Sequence, residues 1–128
     1  MQKKSISLPI STAWFCALLF LGCHQKPSLP DPLEAGWKGE PVCEVVQENK
    51  DMRILKCTFP PGVGHEKHYH MPHVGYTLVG SKFRIVDQTG TRELNVPTDY
   101  VFSNESIIEH EIVNIGDKTA VFLIIESK

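Results

Sequence analysis

From Pro41 onward, apolar and polar residues alternate in short runs, and no stretch sustains the 3.6-residue spacing of a buried helix face. That pattern predicts strands. The runs PVCEVVQE and MRILKCTF flank NKD, and folding the chain about Lys50 sets Val46 opposite Ile54, Glu44 opposite Lys56 and Cys43 opposite Cys57. Further strands are expected at residues 75–79, 82–86, 91–96, 100–103, 108–114 and 119–126, with turn residues at 87–90 and 114–118. Such short segments, parted by Gly, Pro, Asn and Asp, predict an all-β domain, an antiparallel sandwich or barrel with no helix beyond about two turns. Residues 41–128 suffice for one compact core and no second domain.

Upstream the pattern changes twice. Lys3 and Lys4 precede an apolar run from about Trp14 to Leu21, which ends in FLGC. The run is shorter than the roughly 20 residues of a spanning helix, and its basic start and small terminal residue match a secretory signal over residues 1–22. FLGC resembles the lipobox of bacterial lipoproteins, which implies lipidation at Cys23 and a lipid-anchored domain in the cell envelope. Residues 23–40 carry Pro27, Pro30 and Pro32 among Ser and charged residues, and read as a semi-rigid tether. Trp37, near its end, is expected to pack under the barrel.

Four of the six histidines lie in the run GHEKHYHMPH, and His110 stands alone later. Neutral imidazole is the commonest ligand of transition metals, and His68 and His70, two apart, project from one face of an extended chain. Pro72 interrupts the ladder and lets His73 turn toward them. Alternation sets His65 on the opposite, exposed face. A solvated histidine-rich loop is the competing reading, and the strand that follows argues against it.

The spacing is also specific. Gly62, five residues, His68, one residue, His70, and then six residues between His73 and Gly80 resemble the first metal motif of the cupin superfamily, while His110 and Asn114 stand where its second motif has histidine and asparagine. The resemblance spans about residues 41–126 and implies a double-stranded β-helix, the cupin jelly roll, with His68, His70 and His110 as ligands. The family's usual glutamate ligand is missing, and His73 occupies its place when counted back from Gly80, so His73 is expected as the fourth ligand. The second motif departs further, with Glu105 and Ile107 in place of its proline and glycine.

Imidazoles without a carboxylate suit zinc, copper, nickel or ferrous iron rather than magnesium or calcium, and the expected cofactor is a divalent transition metal, iron, manganese, nickel, copper or zinc. Protons should compete with such an ion near the ordinary imidazole range, about pH 6. Glu66, Tyr76, Glu109 and Glu111 are candidates for assisting acid–base work. Loss of residues 1–22 removes two lysines and no acids, taking the formal charge from −2 to −4; no basic patch points to nucleic acid. Beyond the lipid-mediated membrane contact, the expected partner is a small molecule, and a homodimer stays open. Cys43 and Cys57 form an even pair in an oxidising compartment, either bonded or buried as free thiols. Two functions survive. The resemblance implies a metal-dependent enzyme of dioxygenase, isomerase or decarboxylase type, and the alternative is a non-catalytic module binding a metal or small ligand. A cavity of several hundred Å³ at the histidines favours the first.

Overall fold

The computed structural model describes residues 27–128, so the segment expected to be a signal and the lipidation expected at Cys23 lie outside the described residues. These contain eleven strands and no α-helix. A hairpin of β1 (Gly36–Trp37) and β2 (Glu40–Pro41) precedes β3 (Cys43–Glu48), β4 (Met52–Phe59), β5 (Gly64–His70), β6 (His73–Val79), β7 (Ser81–Asp87), β8 (Gly90–Val96), β9 (Val101–Asn104), β10 (Ile108–Asn114) and β11 (Ala120–Ser127). They form a four-stranded sheet in the order β5-β10-β7-β8 and a five-stranded sheet in the order β3-β4-β11-β6-β9, all paired antiparallel. The all-β expectation holds.

Alternation fills the space between the sheets. On β11, Ala120, Phe122, Ile124 and Glu126 point inward, and on β4 Leu55, Cys57 and Phe59 do the same. With Val42, Cys43 and Phe83 these apolar residues form the core, joined at its margin by Trp37 and Phe102. Two glycines admit large rings: a Cβ on Gly64 would overlap the Trp37 ring, and one on Gly75 would overlap Phe102. Trp37 thus packs against the barrel, as its apolar surface demands.

The register about Lys50 is right near the cysteines and slips near the turn. Cys43 faces Cys57 and Glu44 faces Lys56, but a bulge between Val45 and Gln47 sets Gln47, not Val46, opposite Ile54. Val46 is left exposed. Cys43 and Cys57 are joined by a disulfide with their Cα atoms 4.0 Å apart.

The packed body also starts upstream of Pro41. Pro32 and Ala35 are buried, although residues 23–40 read as a tether. Asp31 closes a turn by accepting from the Leu33 and Glu34 amides at 2.7 and 3.2 Å, and its other oxygen meets Arg53 Nη1 at 3.1 Å. The Pro30 carbonyl accepts from the Tyr69 amide of β5 at 3.2 Å. Prolines bring carbonyl acceptors without an N–H of their own to satisfy, so this strap lies on a strand at little polar cost.

Candidate metal centre

Strand β5 carries most of the site, and its geometry turns on one irregularity. His68 faces His110 across the β5–β10 ladder, but two positions later on β10 Ile112 faces His65, so Glu66 and Lys67 together oppose Glu111. This bulge resets the alternation. His65, expected outside, is therefore buried, with its ring stacked on His68 at a centroid separation of 3.7 Å. Its Nε2–H donates to the carbonyls of Pro32 at 3.0 Å and Ala35 at 3.3 Å. The residue ties the strap to the histidine cluster. Burial, reinforced by the nearby His70, lowers its pKa to about 4, so it is neutral at physiological pH.

One nitrogen each of His68, His70 and His110 falls within a group whose members all lie within 4.8 Å of one another. The tautomers follow from the partners. His68 Nδ1–H donates to the Glu66 carbonyl at 2.7 Å, and His70 Nδ1–H donates to Glu126 Oε2 at 3.0 Å, which leaves both Nε2 atoms as acceptors. These two atoms stand 3.0 Å apart. Two lone pairs at that distance repel unless a proton or a cation lies between them. His110 Nε2 is buried and has no hydrogen-bond partner among the described residues. Burial lowers the pKa of His68, and burial together with the neighbouring histidines pushes that of His110 down to about 3. Three converging imidazoles, with the Nε2 atoms of His68 and His70 left as acceptors and that of His110 unused, fit a transition-metal ion coordinated at about 2.0–2.2 Å.

His73 is buried beside this group, its ring 4.9 Å from that of His70, but its nitrogens do not join it. Its Nδ1–H donates to the Met71 carbonyl at 2.8 Å and its Nε2 accepts from Asn104 Nδ2 at 3.1 Å. Both are satisfied. The two-residue link Met71–Pro72 carries the chain from one sheet to the other, so His70 and His73 face each other across the interior as neighbours. Asn114, the second-motif asparagine, is fully buried and structural. Its amide donates to the Phe59 and Lys118 carbonyls, each at 2.7 Å, and its oxygen accepts from Ser81 and Gly116.

Of the four candidate helpers, Glu109 alone lines the interior cavity. Glu66 accepts from the Lys38 amide and Tyr76 donates to Asp99, both away from the histidines. The carboxylate that does reach the cluster, Glu126, escaped the sequence reading. Its signal was there: it is the fourth inward position of AVFLIIES, an acid where alternation calls for an apolar residue. It is buried, and although burial opposes ionisation, hydrogen bonds and charge from His70 and Arg53 hold its pKa below the usual carboxylate value.

The cluster opens onto a cavity of about 370 Å³. Phe83, Ile85, Leu94, Phe102, Phe122 and Ile124 supply apolar wall, while His70, His73 and His110 contribute the polar end together with Asn104. Asp87 and Arg92 also line it and form an ion pair at 2.5 Å.

No protein-family model matches this chain, and no curated protein does. Solved structures do. A cupin domain from Bordetella pertussis is 23% identical, superposes with a TM-score of 0.63, and covers 68% of this chain and 92% of its own. An uncharacterized conserved protein with a double-stranded β-helix domain from Klebsiella pneumoniae has 16% identity and a TM-score of 0.56, covering 69% and 72%. A cupin superfamily protein from Desulfitobacterium hafniense has 13% identity and a TM-score of 0.53, covering 66% and 74%. At these identities the likeness speaks of architecture alone, and with the two-sheet topology above it establishes that this chain has the cupin double-stranded β-helix fold.

Proposed function

We propose that this domain binds a divalent transition metal through His68, His70 and His110 and acts with it on a small organic molecule held in the adjoining cavity. The observation that carries this reading is the meeting of three imidazoles, one with an Nε2 unpartnered among the described residues, beside a cavity of about 370 Å³. A cavity at the low end of ligand-pocket size, lined by apolar rings, suits a compact and largely apolar substrate that presents one polar group to the histidines. A bound ion of this class supplies Lewis acidity or an activated water at a position the protein leaves open. The protein's own part is to orient and to exclude. The Glu66 carbonyl and the Glu126 carboxylate hold two imidazoles in one tautomer, and the phenylalanines keep bulk water from the polar end. Asn104, bonded to His73 on the cavity wall, is placed to orient a substrate oxygen.

We place this activity in the cell envelope, on the signal-like residues 1–22 and the FLGC sequence, with iron, manganese, nickel, copper and zinc as the candidate ions. The test is elemental analysis of protein purified without added metal and after reloading, followed by turnover assays with small carbonyl and phenolic compounds under air. Wild type is expected to hold one ion per chain, and His68→Ala and His110→Ala to hold none. A wild-type protein that takes up none of the five ions would end the metal reading. Stoichiometric metal without turnover of any compound would favour a binding module.

A further inference from the structure

We infer that Glu126 is a positioning residue: braced by Arg53, and through it by Asp31, it makes His70 carry its proton on Nδ1 and offer Nε2 to the ion. This rests on the reading of the three histidines as a metal site. Strand pairing puts Glu126 directly opposite Arg53 on β4 and opposite His73 on β6, so the carboxylate enters the interior between them. One oxygen, Oε1, accepts from Arg53 Nε at 2.6 Å and also meets Nη2; the other, Oε2, accepts from His70 Nδ1 at 3.0 Å. Arg53 Nη1 then reaches Asp31 on the strap at 3.1 Å.

An ion pair for stability alone would not need this place. Buried pairs gain little over apolar packing, and the three preceding inward positions of β11 are Ala120, Phe122 and Ile124. What the carboxylate does there is fix a proton. Glu126 Oε2 can only accept, so the imidazole must donate, and the lone pair goes to Nε2, 3.0 Å from its counterpart on His68. Arg53 has only donors and holds the other oxygen, which keeps the carboxylate from turning into the cluster as a direct ligand.

Glu126→Gln separates this role from packing. The Gln side chain has the same shape, but Arg53 offers only N–H groups, so the amide carbonyl must face Arg53 and the amide N–H must face His70. Nδ1 then has to accept, and the proton moves to Nε2, where it blocks the ion. Nitrogen-15 NMR of metal-free protein at pH 7.5 is expected to show His70 as the Nδ1–H tautomer in wild type and as Nε2–H in Glu126→Gln. Zinc and cobalt affinity, measured by chelator competition, is expected to fall roughly 10- to 100-fold in the variant, the usual cost of losing an outer partner of a metal-bound histidine. If Glu126→Gln does not fold, Glu126→Asp takes its place; the shorter acid cannot span Arg53 and His70 together, and the same drop in affinity is expected.

Wild type with His70 protonated on Nε2 would overturn the inference outright. Wild type that binds zinc, beside a folded Glu126→Gln with equal affinity and an unchanged tautomer, would overturn it while leaving the metal site standing. If wild type binds no metal, the metal reading fails, and the tautomer comparison still decides what Glu126 does.

Discussion

Burial resets the acid–base behaviour of individual histidines. An ordinary imidazole would release a bound ion near pH 6, but His110 is pushed to about 3 and the pKa of His68 is lowered as well, in both cases first by burial. Protons therefore compete for these ligands only in stronger acid. Metal content after dialysis at stepped pH is expected to hold at pH 5 and to fall as the pH approaches 4 and below; a midpoint at 6 would contradict the protection that burial gives His68 and His110. His65 gives a second, metal-independent signature. Its folded pKa of about 4 lies below the unfolded value of 6.5, so between these values the unfolded chain binds more protons. The stability it contributes is complete above pH 6.5 and is lost as pH falls toward 4, amounting to about 3 kcal/mol. Denaturant titrations from pH 7 to pH 4 should show this loss, and His65→Ala should shrink it. At neutral pH the same substitution should cost about 2–4 kcal/mol, because it leaves a hole beside His68 and frees two buried carbonyls.

At the scale of elements, the bulge in β5 and the strap before β1 act together. The bulge turns His65 inward, and the strap supplies the carbonyls that receive it. Periodicity shows neither, because a strict period of two takes no account of an extra residue and Pro-rich sequence looks like linker. Shortening the chain to begin at Gly36 removes the acceptors of His65 and the Asp31–Arg53 pair, and should lower the unfolding midpoint even though every strand of both sheets remains. Asp31→Ala alone should cost about 1–2 kcal/mol, since it frees the Leu33 and Glu34 amides of the turn while Arg53 keeps Glu126 as a partner. The disulfide between β3 and β4 closes a short loop, for which chain entropy suggests about 3 kcal/mol. Guanidinium titrations with and without reductant measure that directly, and a Cys43→Ser/Cys57→Ser protein should reproduce the reduced curve.

At the scale of the molecule, the two sheets divide their interior between a filled apolar core and a cavity with histidines at one end. Cavity and cluster can be separated experimentally. Leu94 lines the cavity from β8 and has no part in the cluster, so Leu94→Trp should fill space without touching a ligand. The variant is expected to keep its full metal content while losing binding of small aromatic probes, followed by calorimetry. If probe binding survives, the ligand sits elsewhere. Gly75→Ala should act from the opposite wall, where the new methyl would displace the Phe102 ring.

The fold class, most strand positions, the pairing of Cys43 with Cys57 and the convergence of His68 with His70 are legible in the order of residues along the chain. Each of these follows from a period of two or from a turn, which short-range sterics impose on any extended chain. His110 was legible only through the spacing it shares with cupin motifs. The partners of the remaining polar groups emerge only when the sheets come together. His73 uses its nitrogens on Met71 and Asn104, His65 lies inside the fold, and Glu126 arrives from the last strand to hold a histidine 56 residues earlier. These outcomes depend on which polar atoms find partners across sheets once water is excluded, and that matching is set by three-dimensional neighbours rather than by local pattern.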